Sequence, residues 1–319
     1  MKKWITILLA VTMLVGMATG AGANASPTPK AKEDMTIGFS IHFKTDDYGA
    51  ICTQGFEETC QANGVKYELT DANGDVAKQL ADIESLIAKQ VDAIVVSPLD
   101  EKALIDVCNA AAEKGIAIIP ITYMPEVAVI STVETGNYEF SYEVATKLAE
   151  AVGNKGKIAI ITAAVNLWRI DQRLLAFQDV IDANPDMELV AIEKKMEADE
   201  AMAAAEAIMT ANPDIAGIWG TYSNLVYGPG NTAKNRDNKD IVVGGVDADM
   251  SILNLMEEGW IKYVAAQNPY SHGKMGAEIA IQYLSGEEVP QQVIAEYKIY
   301  AADEAELCAQ EIWGKTLQQ

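Results

Sequence analysis

From Met35 onward, short apolar runs alternate with stretches whose apolar residues recur every three or four positions. Thr36–Ile41 predicts a strand, and Tyr48–Asn63 a helix stopped at Gly64. Val65–Leu69 is a strand. Asp75–Lys89 is a helix with Leu80, Ile83, Leu86 and Ile87 on one face. Asp92–Pro98, Lys102–Lys114 and Ile116–Ile121 continue as strand, helix, strand, and a short strand over Val127–Val133 follows. The rhythm then restarts. Helices over Tyr138–Val152, Asp171–Ala183, Asp199–Ala211, a stretch near Asn224, Met250–Glu258 and His272–Leu284 alternate with strands. Those strands are Lys157–Thr162, Glu188–Glu193, Ile215–Trp219, Ile241–Val246 and Tyr263–Ala266. An extended segment, Val293–Tyr300, and a helix from Asp303 close the chain.

Strands this short and this apolar suit a parallel sheet covered on both faces. Strand and helix in regular alternation imply right-handed crossover units. The two runs are alike in length and order, so the fold class is α/β with two doubly wound parallel-sheet lobes. Neither run carries GxGxxG, and Gly314-Lys315-Thr316 lacks the glycine a phosphate loop needs five positions earlier. Cofactors are therefore expected to be none.

Ahead of these runs, Met1-Lys2-Lys3, the apolar run Trp4–Ala18 and Ala23-Asn24-Ala25 read as a signal peptide, residues 1–25. Its apolar run is shorter than the roughly 20 residues of a membrane span, so no stable membrane insertion is expected. No Cys lies in or just after it, which removes the lipid-attachment route. Residues 26–34 form a polar, Pro-containing flexible leader. The expected location is periplasmic or extracellular.

The net charge is −22, and loss of Lys2 and Lys3 makes it −24. That field disfavours nucleic acid and anionic lipid. Cys52 and Cys60 lie eight residues apart on one predicted helix, about 12 Å at 1.5 Å per residue. A bridge needs Cα atoms within about 7 Å. Buried free thiols are favoured for these and for Cys108 and Cys308. His42 and His272 are far apart in sequence and no CxxC occurs, so a metal site is unsupported.

In doubly wound sheets, ligands sit beyond the carboxyl ends of the strands. The residues placed there are His42, Phe43, Lys44, Thr45, Asp46, Asp47 and Tyr48, then Thr122 and Tyr123. The second run supplies Asn166, Trp168, Arg169 and Arg173, then Tyr222, Ser223 and Asn224, Asp247 and Asp249, and Gln267 and Asn268. Rings, amides, carboxylates and guanidinium groups together suit a neutral polyhydroxylated molecule. Flat rings cover its C–H faces, and the polar groups exchange hydrogen bonds with its hydroxyls. Blander roles compete at each position. Asp247 either meets ligand or caps the helix near Met250. Arg173 either meets ligand or pairs with Asp171. Tyr48 either stacks or packs. Asp46-Asp47 either bind or serve as helix N-terminal acids. Trp219 reads as core, and His42 as a pocket-edge donor or a surface loop residue.

The order of elements, with Ile37-Gly38-Phe39-Ser40, Gly55-Phe56, Asp92–Pro98, Gly115–Pro120, Arg173 with Phe177, Asn212-Pro213-Asp214, Gly217-Ile218-Trp219 and Val243–Asp247, resembles the periplasmic binding proteins of sugar ABC transporters, in the ribose- and galactose-binding group. The resemblance implies three strands joining the lobes, near Val133–Gly136, Gln267–Pro269 and Lys298. It implies an N-terminal lobe of 35–134 plus 269–297 and a C-terminal lobe of 135–268 plus 298–319. By position it makes Tyr48 a sugar-stacking ring, Asp46 a hydroxyl acceptor, and Arg173, Asp247 and Gln267 ligand contacts. Met196 stands where ribose binders have an aromatic, with Trp168 as the candidate replacement. Thr122-Tyr123 stands where they have an Asp-Arg pair, and Tyr222, beside Ser223, where they have Asn. These departures imply loss of a charged clamp and a ligand other than ribose.

The expectation is thus a monomeric solute receptor, not an enzyme, with a sugar or polyol ligand and an ABC permease as partner. The alternative is a sensory subunit serving a chemoreceptor or histidine kinase. A secreted enzyme lacks a nucleophile–base pair, and a repressor is disfavoured by the export signal.

Overall fold

The alternation of strands and helices is present in the computed structural model, which describes residues 28–165 and 167–317. The expected signal peptide and Asn166 lie outside the described residues. The first lobe runs β1 (Thr36–Ile41), α1 (Asp47–Asn63), β2 (Lys66–Asp71), α2 (Val76–Ala88), β3 (Ala93–Val96), α3 (Ile105–Glu113) and β4 (Ala117–Pro120). β5 (Thr132–Glu134) leads to α4 (Asn137–Ala151), β6 (Gly156–Ala163), α5 (Trp168–Asp182), β7 (Met187–Lys195), α6 (Ala198–Ala211) and β8 (Ile215–Gly220). α7 (Ser223–Asn235), β9 (Val242–Val246), α8 (Met250–Glu257) and β10 (Tyr263–Gln267) complete the second lobe's crossovers. α9 (Pro269–Leu284), β11 (Gln292–Ile294), β12 (Tyr297–Ala301) and α10 (Ala305–Trp313) follow.

The sheets are ordered β2-β1-β3-β4 and β12-β10-β9-β8-β6-β7. Reading the second from β7 gives the same winding as the first, so the lobes share one topology. All pairings in both are parallel except β12, which runs antiparallel to β10. β3, β4 and β9 are buried along their whole length, as strands covered by helices on both faces must be. Edge strand β7 is instead half-buried or exposed at every position after its first.

The expected strand over Val127–Val133 forms only at its end. Its residues join β5, which pairs with β11 as a separate two-stranded ribbon between the lobes. The third crossing, expected near Lys298, joins β11 to β12 through Ala295-Glu296. Lys298 already lies in β12, opposite Ala266 of the second sheet. The leader expected to be flexible over 26–34 is tied down in its second half. Lys30 N donates to Leu284 O at 2.9 Å, the Lys30 side chain pairs with Asp92, and Lys32–Asp34 forms one 3-10 turn.

α9 returns to the first lobe and lies against α1. Glycines permit the close approach. A Cβ on Gly273 would stand 1.8 Å from Cys52 O, and one on Gly55 would stand 2.2 Å from Tyr270 O. All four cysteines are buried and unpaired. Burial pushes the Cys60, Cys108 and Cys308 thiols up to about 12, so they are inert at neutral pH. Trp219 is core, with Phe177 edge-on at 5.9 Å.

Gly273→Ala forces α9 away from α1, and with it the neighbouring His272 of the cleft. The expected loss is about 1–3 kcal/mol of stability, as for other overpacked contacts. Urea unfolding checks it: an unchanged midpoint would show that the helices have slack at this contact.

Candidate functional site

Loops beyond the carboxyl ends of both sheets line one cavity of about 790 Å³, within the roughly 300–1,000 Å³ range of small-molecule sites. The first lobe contributes the loop after β1, Ser97 after β3 and Thr122 after β4. The second contributes residues after β6, β7, β8 and β9, and β5 and β10 form the hinge side.

Arg173 organises the site. It projects from the second turn of α5 and is 4% exposed. Its Nε donates to Asn137 Oδ1 at 2.9 Å and its Nη1 to Thr221 O at 3.0 Å. Asp247 Oδ2 lies 3.6 Å from Nη1, and the Phe140 ring lies beneath the guanidinium at 5.3 Å. Burial pulls its pKa down and Asp247 opposes this, but a guanidinium remains charged at physiological pH. Arg173 therefore has no need of Asp171. Asp249 rather than Asp247 caps α8, accepting from the Ser251 and Ile252 amides at 3.0 Å each. Asp247 instead takes φ +75° beyond β9, and its carboxylate accepts from Gln267 Nε2 at 2.6 Å.

A chain of hydrogen bonds runs on from Gln267. Thr135 Oγ1 donates to Gln267 Oε1 at 3.1 Å. His272 Nε2 lies 3.0 Å from Thr135 Oγ1, and Tyr48 Oη lies 2.7 Å from His272 Nδ1. One direction satisfies every group. Tyr48 O–H donates to Nδ1, the Nε2–H of a neutral imidazole donates to Thr135, and Thr135 donates to Gln267. Burial, with Arg173 adding to it, lowers the His272 pKa to about 4, which keeps that ring neutral. Burial pushes the Tyr48 phenol well above its ordinary value, so it keeps its proton. Tyr48 of the first lobe is thus connected to Asp247 and Arg173 of the second.

Two ion pairs also cross between lobes. Glu101 Oε1 accepts from Arg169 Nη1 at 2.6 Å and from Thr122 Oγ1 at 3.0 Å. Lys315 pairs with Asp47 at 2.7 Å. Beside Thr122, where the dipeptide itself carries no charged pair, Glu101 and Arg169 thus form an ion pair between the lobes.

The cavity brings together His42, Asp46, Tyr48, Thr122, Arg173, Met196, Tyr222, Ser223, Asp247 and Gln267. His42 Nδ1 bonds Ser97 Oγ at 2.8 Å, and Asp46 also caps α1 by accepting from Gly49 N at 2.6 Å. Tyr222 binds the Met196 carbonyl through its hydroxyl. Tyr123 and Trp168 do not line the cavity. They come from opposite lobes and pack on each other, ring centroids 4.9 Å apart, so Trp168 does not supply the ring missing at Met196. The expected separation of the histidines also fails in space. Both rings flank Tyr48, at 5.5 and 5.7 Å. Among the described residues no cluster suits a metal ion.

Sequence reasoning passed over Glu101, Glu134, Thr135, Asn137 and His272 as site residues, and noted Arg169 without a role. Two had signals. Arg169 is four residues before Arg173, hence on the same helix face. Glu134 is an acid inside a buried strand.

A model of the periplasmic binding protein domain matches residues 37–288, and the chain belongs to that family. The chain is 24% identical to the ribose import binding protein of Bacillus subtilis over 307 residues, covering 94% of this chain and 99% of that one. Among solved structures, a sugar-binding protein of a sugar ABC transporter from Bacillus halodurans matches with a TM-score of 0.79 and 27% identity, over 86% of this chain and 98% of that one. A carbohydrate transporter solute-binding protein from Agrobacterium radiobacter, in complex with D-arabinose, matches with a TM-score of 0.79 and 26% identity, over 88% and 98%. The family is one of binding proteins, and no helix among the described residues is long and apolar enough to cross a membrane.

Acid acts on the site in opposite directions. His42 and His272 are held near 4, by burial first, so on unfolding below about 6.5 they take up protons. Their contribution is complete above pH 6.5 and is lost as pH falls toward 4, about 3 kcal/mol for the fully buried His272. Glu134 is raised to about 7, by burial first and Glu101 second. It binds a proton more tightly when folded, so between pH 7 and 4.5 it adds stability as pH falls. The unliganded protein should melt lower at pH 5 than at pH 7, and Glu134→Gln should steepen that drop. A shallower drop in the variant would contradict the assignment.

Proposed function

We propose that this chain is a solute-binding receptor that closes its two lobes on a small polyhydroxylated ligand, a sugar or polyol, and delivers it to the permease of an ABC importer. The observation that carries this reading is the cavity in which both lobes present hydrogen-bonding groups between apolar walls. Arg173, Asp247 and Gln267 act from one lobe, and His42, Asp46 and Tyr48 from the other. Tyr48, Met196 and Tyr222 supply surface for C–H faces, while fixed carboxylates and amides select hydroxyls. The relatives' names agree with this, since one is a ribose import binding protein and another was solved with D-arabinose.

In this reading the ribbon of β5 and β11 is the hinge. Glu101–Arg169, Asp47–Lys315 and Tyr123–Trp168 form only when the lobes approach. Ligand contacts from both sides add to them and shift the population toward closure. The closed outer faces then present the docking surface for the permease. The receptor works as a monomer, outside the cytoplasm, after removal of residues 1–25.

Thermal melting of the purified mature protein against pentoses, hexoses and polyols tests this. A ligand at about 100 times its dissociation constant adds about 2.7 kcal/mol of stability. The shift should disappear in Arg173→Ala and shrink in Asp247→Asn, which keeps the shape but loses the charge. A folded protein whose melting no sugar or polyol moves would overturn the reading.

A further inference from the structure

The carboxyl groups of the cavity are nearly all engaged. Asp247 meets Arg173 and Gln267, and Glu101 behind the lining meets Arg169 and Thr122. Asp46 and Asp249 cap the starts of α1 and α8, and Asp47 pairs with Lys315. Glu134 is the exception. It lies on hinge strand β5, lines the cavity and is 2% exposed. Its Oε2 accepts from Asn137 Nδ2 at 3.3 Å, but its Oε1 has no hydrogen-bond partner among the described residues. Asn137 offers it only a neutral amide donor, while Asn137's own oxygen accepts from Arg173 Nε. Both cavity arginines have carboxylate partners already. Among the described residues, Glu134 is thus the cavity carboxyl with neither a cationic partner nor a helix-start backbone amide to accept from.

We propose that the ligand supplies that cationic partner: it is a polyhydroxylated molecule bearing a protonated amine, an amino sugar or amino cyclitol, whose ammonium group sits against Glu134. This rests on the sugar or polyol reading above and narrows it. A neutral hydroxyl would satisfy Oε1 with one hydrogen bond but leave the carboxylate's charge uncompensated. An ammonium group supplies both donor and charge, and charge-assisted bonds are roughly twice as strong as neutral ones. Burial first, and the Glu101 carboxylate second, hold this carboxyl up near 7 in the absence of ligand, and a cation placed against it would act in the opposite direction. The chain's net charge of −22 favours the approach of cations over anions. Because Glu134 lies on the hinge ribbon rather than in either lobe's main sheet, its contact selects the ligand. The groups of the two lobes drive closure.

Titration calorimetry on the mature protein at pH 7.5 decides the matter with matched probes. These are D-glucosamine, D-galactosamine and D-mannosamine, each beside its parent sugar and its N-acetyl form, together with D-ribose, D-arabinose and myo-inositol. In at least one set the amine should bind about tenfold or more tighter than both uncharged members. Glu134→Gln should abolish that preference, and Glu134→Asp should retain part of it. The wild-type comparison stands without either variant, and each preference is a ratio measured within one protein. Parent sugars binding as tightly as their amines, or a preference that survives in folded Glu134→Gln, would overturn the amine assignment and leave the sugar reading intact. Failure of every probe to bind folded protein would overturn both.

Discussion

The buried guanidinium of Arg173 is the constraint on which the rest of the cleft depends. A charge taken out of water is tolerated only if its donors and its charge are both answered. Here Asn137, Thr221 and Asp247 answer them, from α4, the end of β8 and the end of β9. Those elements are held in register around α5 by this requirement as well as by their apolar packing. Asp247, oriented by its left-handed backbone, then orders Gln267. Gln267 orders Thr135, and the chain continues through His272 to Tyr48. Removing one member leaves a buried partner unsatisfied, so the network acts as a unit.

The network also couples site to hinge. Thr135 and Gln267 sit where the chain crosses between lobes, and His272 lies in the first turns of α9. α9 can bring His272 under Tyr48 only because glycine lets it lie close on α1. A backbone contact some distance from the cavity wall therefore sets the position of a ring inside it. The clamp of Glu101 and Arg169 shows the same economy of parts. A charged pair between lobes is present although the loop after β4 supplies only Thr122 to it, because α5 carries Arg169 one turn before Arg173.

Much of the architecture was legible in the sequence because it is local. The apolar runs and helical periods placed β1 over Thr36–Ile41 to the residue, and most other elements to within a few positions. The largest departures were at the hinge. Val127–Val133 carries the composition of a strand, but only its last residues find a partner, and that partner is β11, about 160 residues away. Position beyond strand ends was enough to name most of the residues that converge, Arg173, Asp247 and Gln267 among them, while Met196 came only from the resemblance.

The sequence by itself determined two like-wound α/β lobes and the chemical character of the cleft, because strand period, helix stops and residues at strand ends are properties of short segments. Only the tertiary structure decided which side chains face ligand and which face each other. Tyr123 and Trp168 carry suitable rings but spend them on one another across the lobes. His42 and His272, 230 positions apart, meet on one tyrosine. Glu134 reads from sequence only as an acid within a strand, and that one of its oxygens is without a partner emerges only once the neighbouring side chains are placed. Pairing of charges and hydrogen bonds between distant segments depends on how the two lobes meet, and no local pattern encodes that.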